Sequence, residues 1–291
     1  MTTKKRIIIS ASRRTDLPKF YYEWLQKALR QGIVELRNPI FKEKAYHVDV
    51  RPENVHSLVL WSKDFQNVLN SPMYLENYNL YFQYTINSYA SFLEPHVPGY
   101  QDSIKILAGL LKKYRPEQFN IRFDPIIIST RGEIVPTSHQ PGLARLTAFT
   151  KLCQDLSLLG MENSRLTTSY LTLYNHVKKR LQNTGLELIH LDETKQRLFL
   201  ERMVEIADRY NLQIFSCASS ILEGVPGVKK GHCIDGHLLE SLFEGSVSKA
   251  KDTGQRASCG CTKSSDIGSY NQGCYHDCIY CYQRTKFTSS Q

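Results

Sequence analysis

Three cysteines near the end of the chain have a spacing that suits an iron–sulfur cluster. Cys274, Cys278 and Cys281 follow the pattern C-x3-C-x2-C. A short loop of this kind can direct three thiolates toward three irons of a [4Fe–4S] cubane and leave the fourth iron open. A structural zinc site is the alternative, although zinc usually takes four protein ligands in paired knuckles. The spacing therefore predicts a redox-active cluster with one open position.

A second candidate metal site consists of four other cysteines, Cys217, Cys233, Cys259 and Cys261. Five of the eight cysteines lie between Cys259 and Cys281. In a chain that we expect to be cytoplasmic, such crowding favours metal ligation over disulfides. The second set could hold another [4Fe–4S] cluster, which we favour, or a tetrahedral zinc. Alternatively, Cys217 and Cys233 are small buried residues, as we expect of Cys153 in its leucine-rich helix.

Charged residues follow several of the predicted strands, and they are our candidates for cofactor and substrate contacts: Arg13, Arg14, Asp16, Lys63, Arg122 and Asp124. The carboxyl ends of parallel strands meet at one edge of a sheet, where α/β barrels carry their chemistry. Paired arginines can clamp a carboxylate or phosphate. The alternative for Asp16 is a surface network with the arginines in which Asp16 caps the next helix. For His276, a hydrogen bond to its own loop backbone is preferred over metal ligation.

The elements that must position these residues alternate between short β-rich runs and amphipathic helices. Strands are predicted at 6–10, 57–61, 80–84, 119–123, 165–169 and 212–216, and helices at 17–31, 102–114, 143–159, 173–182, 193–210 and 236–243. Repeated βα units predict a parallel sheet and a TIM-type (β/α) barrel, complete or partial. A doubly wound open sheet is the main competitor, but no glycine-rich dinucleotide fingerprint follows the first strand. The barrel is expected at 1–245, with a cysteine-rich tail at 246–291 packed on its mouth.

The composition predicts a cytoplasmic protein without a membrane span. The chain has 291 residues and a formal net charge of +9. Its apolar runs are far shorter than the roughly 18 residues that a span needs, and its basic N-terminus lacks a signal-peptide core. The excess of positive charge favours anionic partners, and nucleic acid is a candidate.

The cysteine loop, with Tyr280 directly before the third cysteine, resembles the signature of the radical S-adenosylmethionine superfamily. The segment from Gly268 to Arg284 is similar to the cluster loop of spore photoproduct lyase-type repair proteins. Most of the chain resembles a bacterial family, domain of unknown function 1848, through Ile9–Asp16, Leu60–Lys63, Arg122–Pro125, Cys259–Cys261 and Ser265–Gly268. That family name implies no activity.

The superfamily resemblance implies a mechanism and a fold. S-adenosylmethionine would chelate the open iron, with Tyr280 at the cofactor site, and one electron would break its sulfur–carbon bond to give a deoxyadenosyl radical. An electron donor such as a ferredoxin or flavodoxin is implied. Most superfamily members carry the loop after their first strand, so this barrel must be permuted, with its C-terminal strand beside strand one.

Two other functional classes remain compatible with the sequence. One is a metal-dependent TIM-barrel hydrolase or nuclease with structural zinc, against which the shortage of clustered histidines and carboxylates counts. The other is a non-catalytic iron–sulfur protein that binds nucleic acid or senses redox state.

Overall fold

The structure of the protein is a computed structural model that describes residues 5–37, 45–129 and 142–283. Its strands are β1 (Ile7–Ala11), β2 (Ile33–Arg37), β3 (Ala45–Asp49), β4 (Val55–Ser62), β5 (Leu80–Thr85), β6 (Phe119–Arg122), β7 (Arg165–Thr168), β8 (Gln213–Ser216), β9 (Val228–Lys230) and β10 (Ser265–Asp266). Its helices are α1 (Leu17–Phe20), α2 (Tyr22–Gln31), α3 (Gln66–Asn70), α4 (Tyr100–Leu111), α5 (Leu143–Leu158), α6 (Asn175–Asn183), α7 (Glu193–Asp208), α8 (Ser220–Glu223) and α9 (Gly236–Leu242). The start of the basic N-terminus and the end of the predicted tail, including Arg284, lie outside the described residues.

Eight strands form one parallel sheet in the order β10-β1-β4-β5-β6-β7-β8-β9. The predicted α/β class with a large parallel sheet is therefore confirmed. The last strand, β10, pairs with β1, which is the arrangement that a permuted barrel requires. Within the described ranges, however, β9 and β10 do not pair with each other, so the sheet does not close into a complete TIM barrel.

The two faces of the sheet differ because alternate strand residues point to opposite sides. Ile9 of β1 and Leu58 of β4 belong to the main core, to which α2, α4, α5 and α7 contribute. Their neighbours Ile8 and Val59 belong to a smaller cluster on the other face, together with Leu239 of α9. The smaller cluster also contains Cys233 and Cys261. Thus α9 and part of the second cysteine set pack on the face opposite the main core.

Several elements differ locally from the sequence prediction. The helix predicted over residues 17–31 is broken, because Tyr21 leaves the helical conformation and its hydroxyl donates to the Gly273 carbonyl at 2.9 Å. The predicted cap Asp16 and terminator Gly32 are both confirmed, the latter with a φ of 75°. The antiparallel hairpin β2–β3 and the short strands β9 and β10 were not predicted.

No helix in the described segments is both long enough and apolar enough to cross a membrane.

Candidate functional site

A cavity of about 410 Å³ opens at the carboxyl ends of the parallel strands. This volume is typical of small-molecule sites. The candidate residues on its wall include both cysteine sets as well as the charged residues that follow the strands: Arg13, Arg14, Asp16, Lys63, Arg122, Asp124, Cys217, Cys233, Cys259, Cys261, Cys274, Cys278, Tyr280 and Cys281. The structure therefore brings together every site residue that the sequence singled out.

The loop that carries Cys274, Cys278 and Cys281 follows β10 and consequently lies beside the end of β1. Its start is fixed at Gly273, whose carbonyl accepts hydrogen bonds from the hydroxyls of Tyr21 (2.9 Å) and Thr15 (3.3 Å). Arg180 and His176 of α6 hold its end by hydrogen bonds to the carbonyls of Cys281 and Tyr282. The cysteine loop is thus attached to both the first strand and a helix from the second half of the chain.

His276, in the middle of this loop, is buried and bridges two other segments. Its Nε2 lies 2.8 Å from Oδ2 of Asp16, and its Nδ1 lies 3.0 Å from the carbonyl oxygen of His96. The expected bond of His276 to its own loop backbone is therefore wrong, because the ring points across the loop toward the end of β1. The ring therefore links the end of β1 to the segment that carries His96.

Cys278 of the loop is buried, Cys274 and Cys281 are half-buried, and burial controls the acidity of all three thiols. It raises the pKa of Cys274 to about 12 and the pKa of Cys278 well above its ordinary value. It also raises the pKa of Cys281, which the nearby charges of Lys63 and Arg180 oppose. Without a ligand these groups are thiols, and a metal must displace their protons to bind.

The groups that the loop offers as ligands suit an iron–sulfur cluster bound by three thiolates. The backbone N–H of Gln283 lies 3.4 Å from the sulfur of Cys281, and the backbone of His276 and Asp16 bonds the Cys274 thiol. Such N–H···S bonds tune and stabilise iron–sulfur clusters. In the described segments, no three His, Cys, Asp or Glu side chains stand as ready-made ligands around one ion. The three thiolates and the N–H groups around them are therefore what makes the loop suitable for a cluster, not a set of ligands already arranged around an ion.

Lys63 belongs to a buried network next to the cysteine loop. Its ammonium lies 2.8 Å from Glu94, whose carboxylate also accepts a hydrogen bond from the hydroxyl of Tyr280. Burial opposes the ionisation of Glu94, but the Lys63 ammonium and the hydrogen bonds of Tyr280 and Asn87 outweigh it and lower the pKa of this carboxyl. The pKa of Lys63 is raised, because Glu94 and the cluster cysteines outweigh its burial. The pair is therefore ionised at neutral pH.

The predicted pair Arg122 and Asp124 forms a direct ion pair at the end of β6. Arg122 also donates a hydrogen bond to the Cys233 sulfur at 3.1 Å and packs over the Trp61 ring, 5.6 Å from its centroid. Asp124 accepts a further hydrogen bond from Ser169. The guanidinium thus connects the base of the cavity to the second cysteine set.

The four cysteines of the second set meet in space, and we call them the four-thiol group (Cys217, Cys233, Cys259 and Cys261). The sulfurs of Cys217 and Cys233 are 3.5 Å apart. Cys233 bonds Cys261 through its side chain, and Cys261 bonds Cys259 in the same way. The hydrogen bond from Cys261 lowers the pKa of Cys259 to about 7, so this thiol ionises most easily.

Arg13 and Arg14 lie on the β1 side of the cavity with different roles. Arg14 donates to the carbonyl of Gly268 at 2.9 Å and packs over the ring of Tyr270. Arg13 packs over the ring of Trp61, with its guanidinium carbon 5.8 Å from the ring centroid. Its Nη2 is buried and has no hydrogen-bond partner among the described residues. Its Nη1 lies 3.5 Å from Asp252, so Arg13 is paired through one terminal nitrogen and can bind an anionic ligand through the other.

Two residues that shape the site were missed by the sequence reasoning. Asp266 of β10 accepts hydrogen bonds from Ser10 (2.8 Å), Ser12 (2.6 Å) and the backbone of Arg13 (2.8 Å), which fixes the end of β1 to the strand before the cysteine loop. The only feature of the sequence that pointed to Asp266 is that it belongs to Ser265–Gly268, one of the segments that carry the family resemblance. Glu94 lies in a connection without periodicity, so nothing in the sequence pointed to it.

Comparisons with known proteins identify a family but no characterised relative. Neither the curated proteins nor the solved structures provide a match. A family model described as "Domain of unknown function (DUF1848)" matches residues 8–283. This range contains the parallel sheet except for Ile7, the first residue of β1, and it contains both cysteine sets and every charged candidate on the cavity wall. The chain therefore belongs to the DUF1848 family.

Proposed function

We propose that the protein is a radical S-adenosylmethionine enzyme whose catalytic [4Fe–4S] cluster is held by Cys274, Cys278 and Cys281. The observation that carries this proposal is the position of the C-x3-C-x2-C loop. It follows the strand that pairs with β1, and its cysteines line the cavity at the carboxyl ends of the strands. This is the edge at which parallel α/β sheets bind ligands.

When bound, the cluster supplies one electron for cleavage of the sulfur–carbon bond of S-adenosylmethionine. The chain's own residues hold the cysteine loop in place. Tyr280 and the Lys63–Glu94 pair hold the second half of the loop from inside the protein. Asp16 and His276 hold the first half. The loop backbone is thereby fixed at several points, which is the preorganisation that a reactive site requires.

The cavity favours an anionic substrate or cofactor group. Arg13, Arg122 and Trp61 line the cavity, and Nη2 of Arg13 is buried without a hydrogen-bond partner among the described residues. A guanidinium of this kind suits a carboxylate or a phosphate. Nucleic acid is therefore a substrate class to test, in line with the net charge of +9. An external one-electron donor such as a ferredoxin or flavodoxin completes the proposal.

The experiment is anaerobic reconstitution followed by iron and sulfide quantitation, electron paramagnetic resonance and assay for 5′-deoxyadenosine. We expect a reduced cluster signal that changes when S-adenosylmethionine is added, and slow formation of 5′-deoxyadenosine. Cys281→Ala should lose both, whereas Cys153→Ala, which alters a buried helix cysteine, should retain both. Cofactor cleavage that persists in Cys281→Ala, or zinc in place of iron at this loop, would refute the assignment.

A further inference from the structure

The four-thiol group draws its members from three separate stretches of the chain. Cys217 directly follows β8, Cys233 follows β9, and Cys259 and Cys261 precede β10. Despite this separation, the sulfurs of Cys217 and Cys233 approach to 3.5 Å, and side-chain hydrogen bonds link Cys233 to Cys261 and Cys261 to Cys259. Isolated buried cysteines have no reason to converge in this way, since each packs as an independent small apolar residue.

The group lies where the sheet fails to close. In the described residues β9 and β10 are the two edge strands and do not pair with each other. The cysteines occupy the chain just after β8 and β9 and just before β10. Only a few hydrogen bonds join the two sides. Thr262 donates its backbone N–H to Ile234 at 3.0 Å, and Gly236 donates to the Thr262 hydroxyl at 3.0 Å. A ligand held by all four thiols would therefore connect the two free edges.

The spacing of the sulfurs distinguishes between a single ion and a cubane. With zinc–sulfur bonds of about 2.3 Å, the sulfurs of a tetrahedral site lie about 3.8 Å apart. The observed 3.5 Å between Cys217 and Cys233 is close to that edge length. A cubane places its four thiolates on four different irons, and its ligand sulfurs must stand much further apart.

The charges around the group also suit a tetrathiolate ion. Four thiolates on a divalent metal leave a net charge of about −2, which needs a nearby cation when buried. Arg122 supplies one, because its guanidinium donates to the Cys233 sulfur at 3.1 Å and bonds the Cys217 side chain. The backbone N–H of Ile234 adds a second donor, 3.4 Å from the sulfur of Cys261.

We propose that Cys217, Cys233, Cys259 and Cys261 bind one divalent ion of tetrahedral preference, zinc by its chemistry, and that this ion joins the free edges β9 and β10. This differs from the second iron–sulfur cluster favoured by the sequence. The side chains of the four thiols are linked in succession, and within the described part of the chain no three of them already surround a point. Binding therefore turns them toward a common centre and releases their protons. The inference does not depend on the radical chemistry proposed for the other cysteine loop.

The test separates the two cysteine sets by their metal content. Zinc, iron and sulfide are measured on anaerobically purified wild-type protein and on three variants: Cys274→Ala/Cys278→Ala/Cys281→Ala, Cys233→Ala and Cys153→Ala. We expect about one zinc per chain in the wild type and in the triple variant, since tetrathiolate sites bind zinc tightly. The zinc should be lost in Cys233→Ala and retained in Cys153→Ala, the matched buried control.

A second measurement remains valid if Cys233→Ala fails to fold. The triple variant is loaded with Co²⁺, and its absorption spectrum is compared with that of the metal-free protein. Intense sulfur-to-cobalt charge-transfer bands with tetrahedral ligand-field bands are expected. Chelation of zinc should also expose four additional thiols to alkylation.

Two results would overturn the proposal. One is iron with matching sulfide in the triple variant, which would mean a second cluster. The other is absence of metal together with a Cys217–Cys233 disulfide. Failure of the proposed radical function would look different, because zinc would then be present in a protein that cleaves no S-adenosylmethionine.

Discussion

Oδ2 of Asp16 lies 2.8 Å from Nε2 of His276, and both side chains are almost fully buried. The two residues come from opposite ends of the chain. The same carboxylate accepts hydrogen bonds from the Ser62 hydroxyl (2.8 Å) and the Lys63 backbone (3.1 Å), and its other oxygen caps α1 through Lys19. Asp16 therefore fixes the ends of β1 and β4 and the cysteine loop relative to one another.

Removing this contact should loosen the cysteine loop. We expect His276→Ala to lower the free energy of unfolding by about 1–3 kcal/mol, because the buried Asp16 side chain loses one of its hydrogen-bond partners. The iron bound per chain after reconstitution should fall with it. The control is His237→Ala, which alters an exposed histidine of α9. Equal iron content in the two variants would show that the Asp16–His276 contact does not position the loop.

The Lys63–Glu94 pair should make stability depend on pH. The pKa of Glu94 is lowered in the folded protein, so its contribution is complete above its unfolded value of about 4.3 and disappears as pH falls through the folded value. The pKa of Lys63 is raised, so its contribution is complete below about 10.4 and disappears as pH rises through the folded value.

Glu94→Gln should therefore cost about 3–5 kcal/mol of unfolding free energy at pH 7 because it leaves a buried ammonium unpaired. The difference from the parent protein should shrink at acid pH, where Glu94 is protonated anyway. Urea unfolding from pH 3 to pH 8 checks this, with the cluster cysteines replaced by alanine to remove acid-labile iron. The exposed pair of Arg202 and Glu205 provides the control Glu205→Gln, which should cost under 1 kcal/mol. A pH-independent cost for Glu94→Gln would contradict the ion pair.

Gly231 should be essential for the four-thiol group. A Cβ added there would lie 2.0 Å from the carbonyl oxygen of Ser216, the residue before Cys217. Gly231→Ala must therefore push the end of β8 away from Cys233. We expect a loss of about 1–3 kcal/mol and a lower zinc content by elemental analysis. Gly99→Ala is the matched control, since its Cβ would come no closer than 3.8 Å to Asp102. Unchanged zinc in Gly231→Ala would separate this close contact from the metal site.

Arg122 should slow the release of metal from the four-thiol group. Arg122→Met removes the cation that donates to the Cys233 sulfur, and loss of such outer contacts typically weakens metal affinity by about 10–100-fold. Zinc transfer to a chromophoric chelator should accelerate accordingly. Arg197→Met alters a half-buried arginine that is paired with Glu193, far from the four-thiol group in sequence, and should leave the rate unchanged. Equal rates in both variants would exclude a role for Arg122 at the metal.

Local patterns in the sequence determined the class of the fold and the composition of the site. Apolar runs such as Leu80–Thr85 predict buried parallel strands because both faces of the sheet are covered. The polar residues that follow these strands were expected at one edge, and the structure brings them to the wall of one cavity. The cysteine spacing is likewise a local property of ten or fewer residues, so it could be recognised without any tertiary information.

Tertiary structure alone decided where the sheet ends and which side chains are partners. Strands β9 and β10 have three and two residues, too few for a periodic signal, so the position of the open edge could not be predicted. Glu94 meets Tyr280 across 186 residues of sequence, and Cys217 meets Cys233 only because β8 and β9 are adjacent in the sheet. Such contacts arise from the packing of distant segments, which composition and spacing do not encode locally. The sequence thus specified which groups are present, and the fold specified which of them touch.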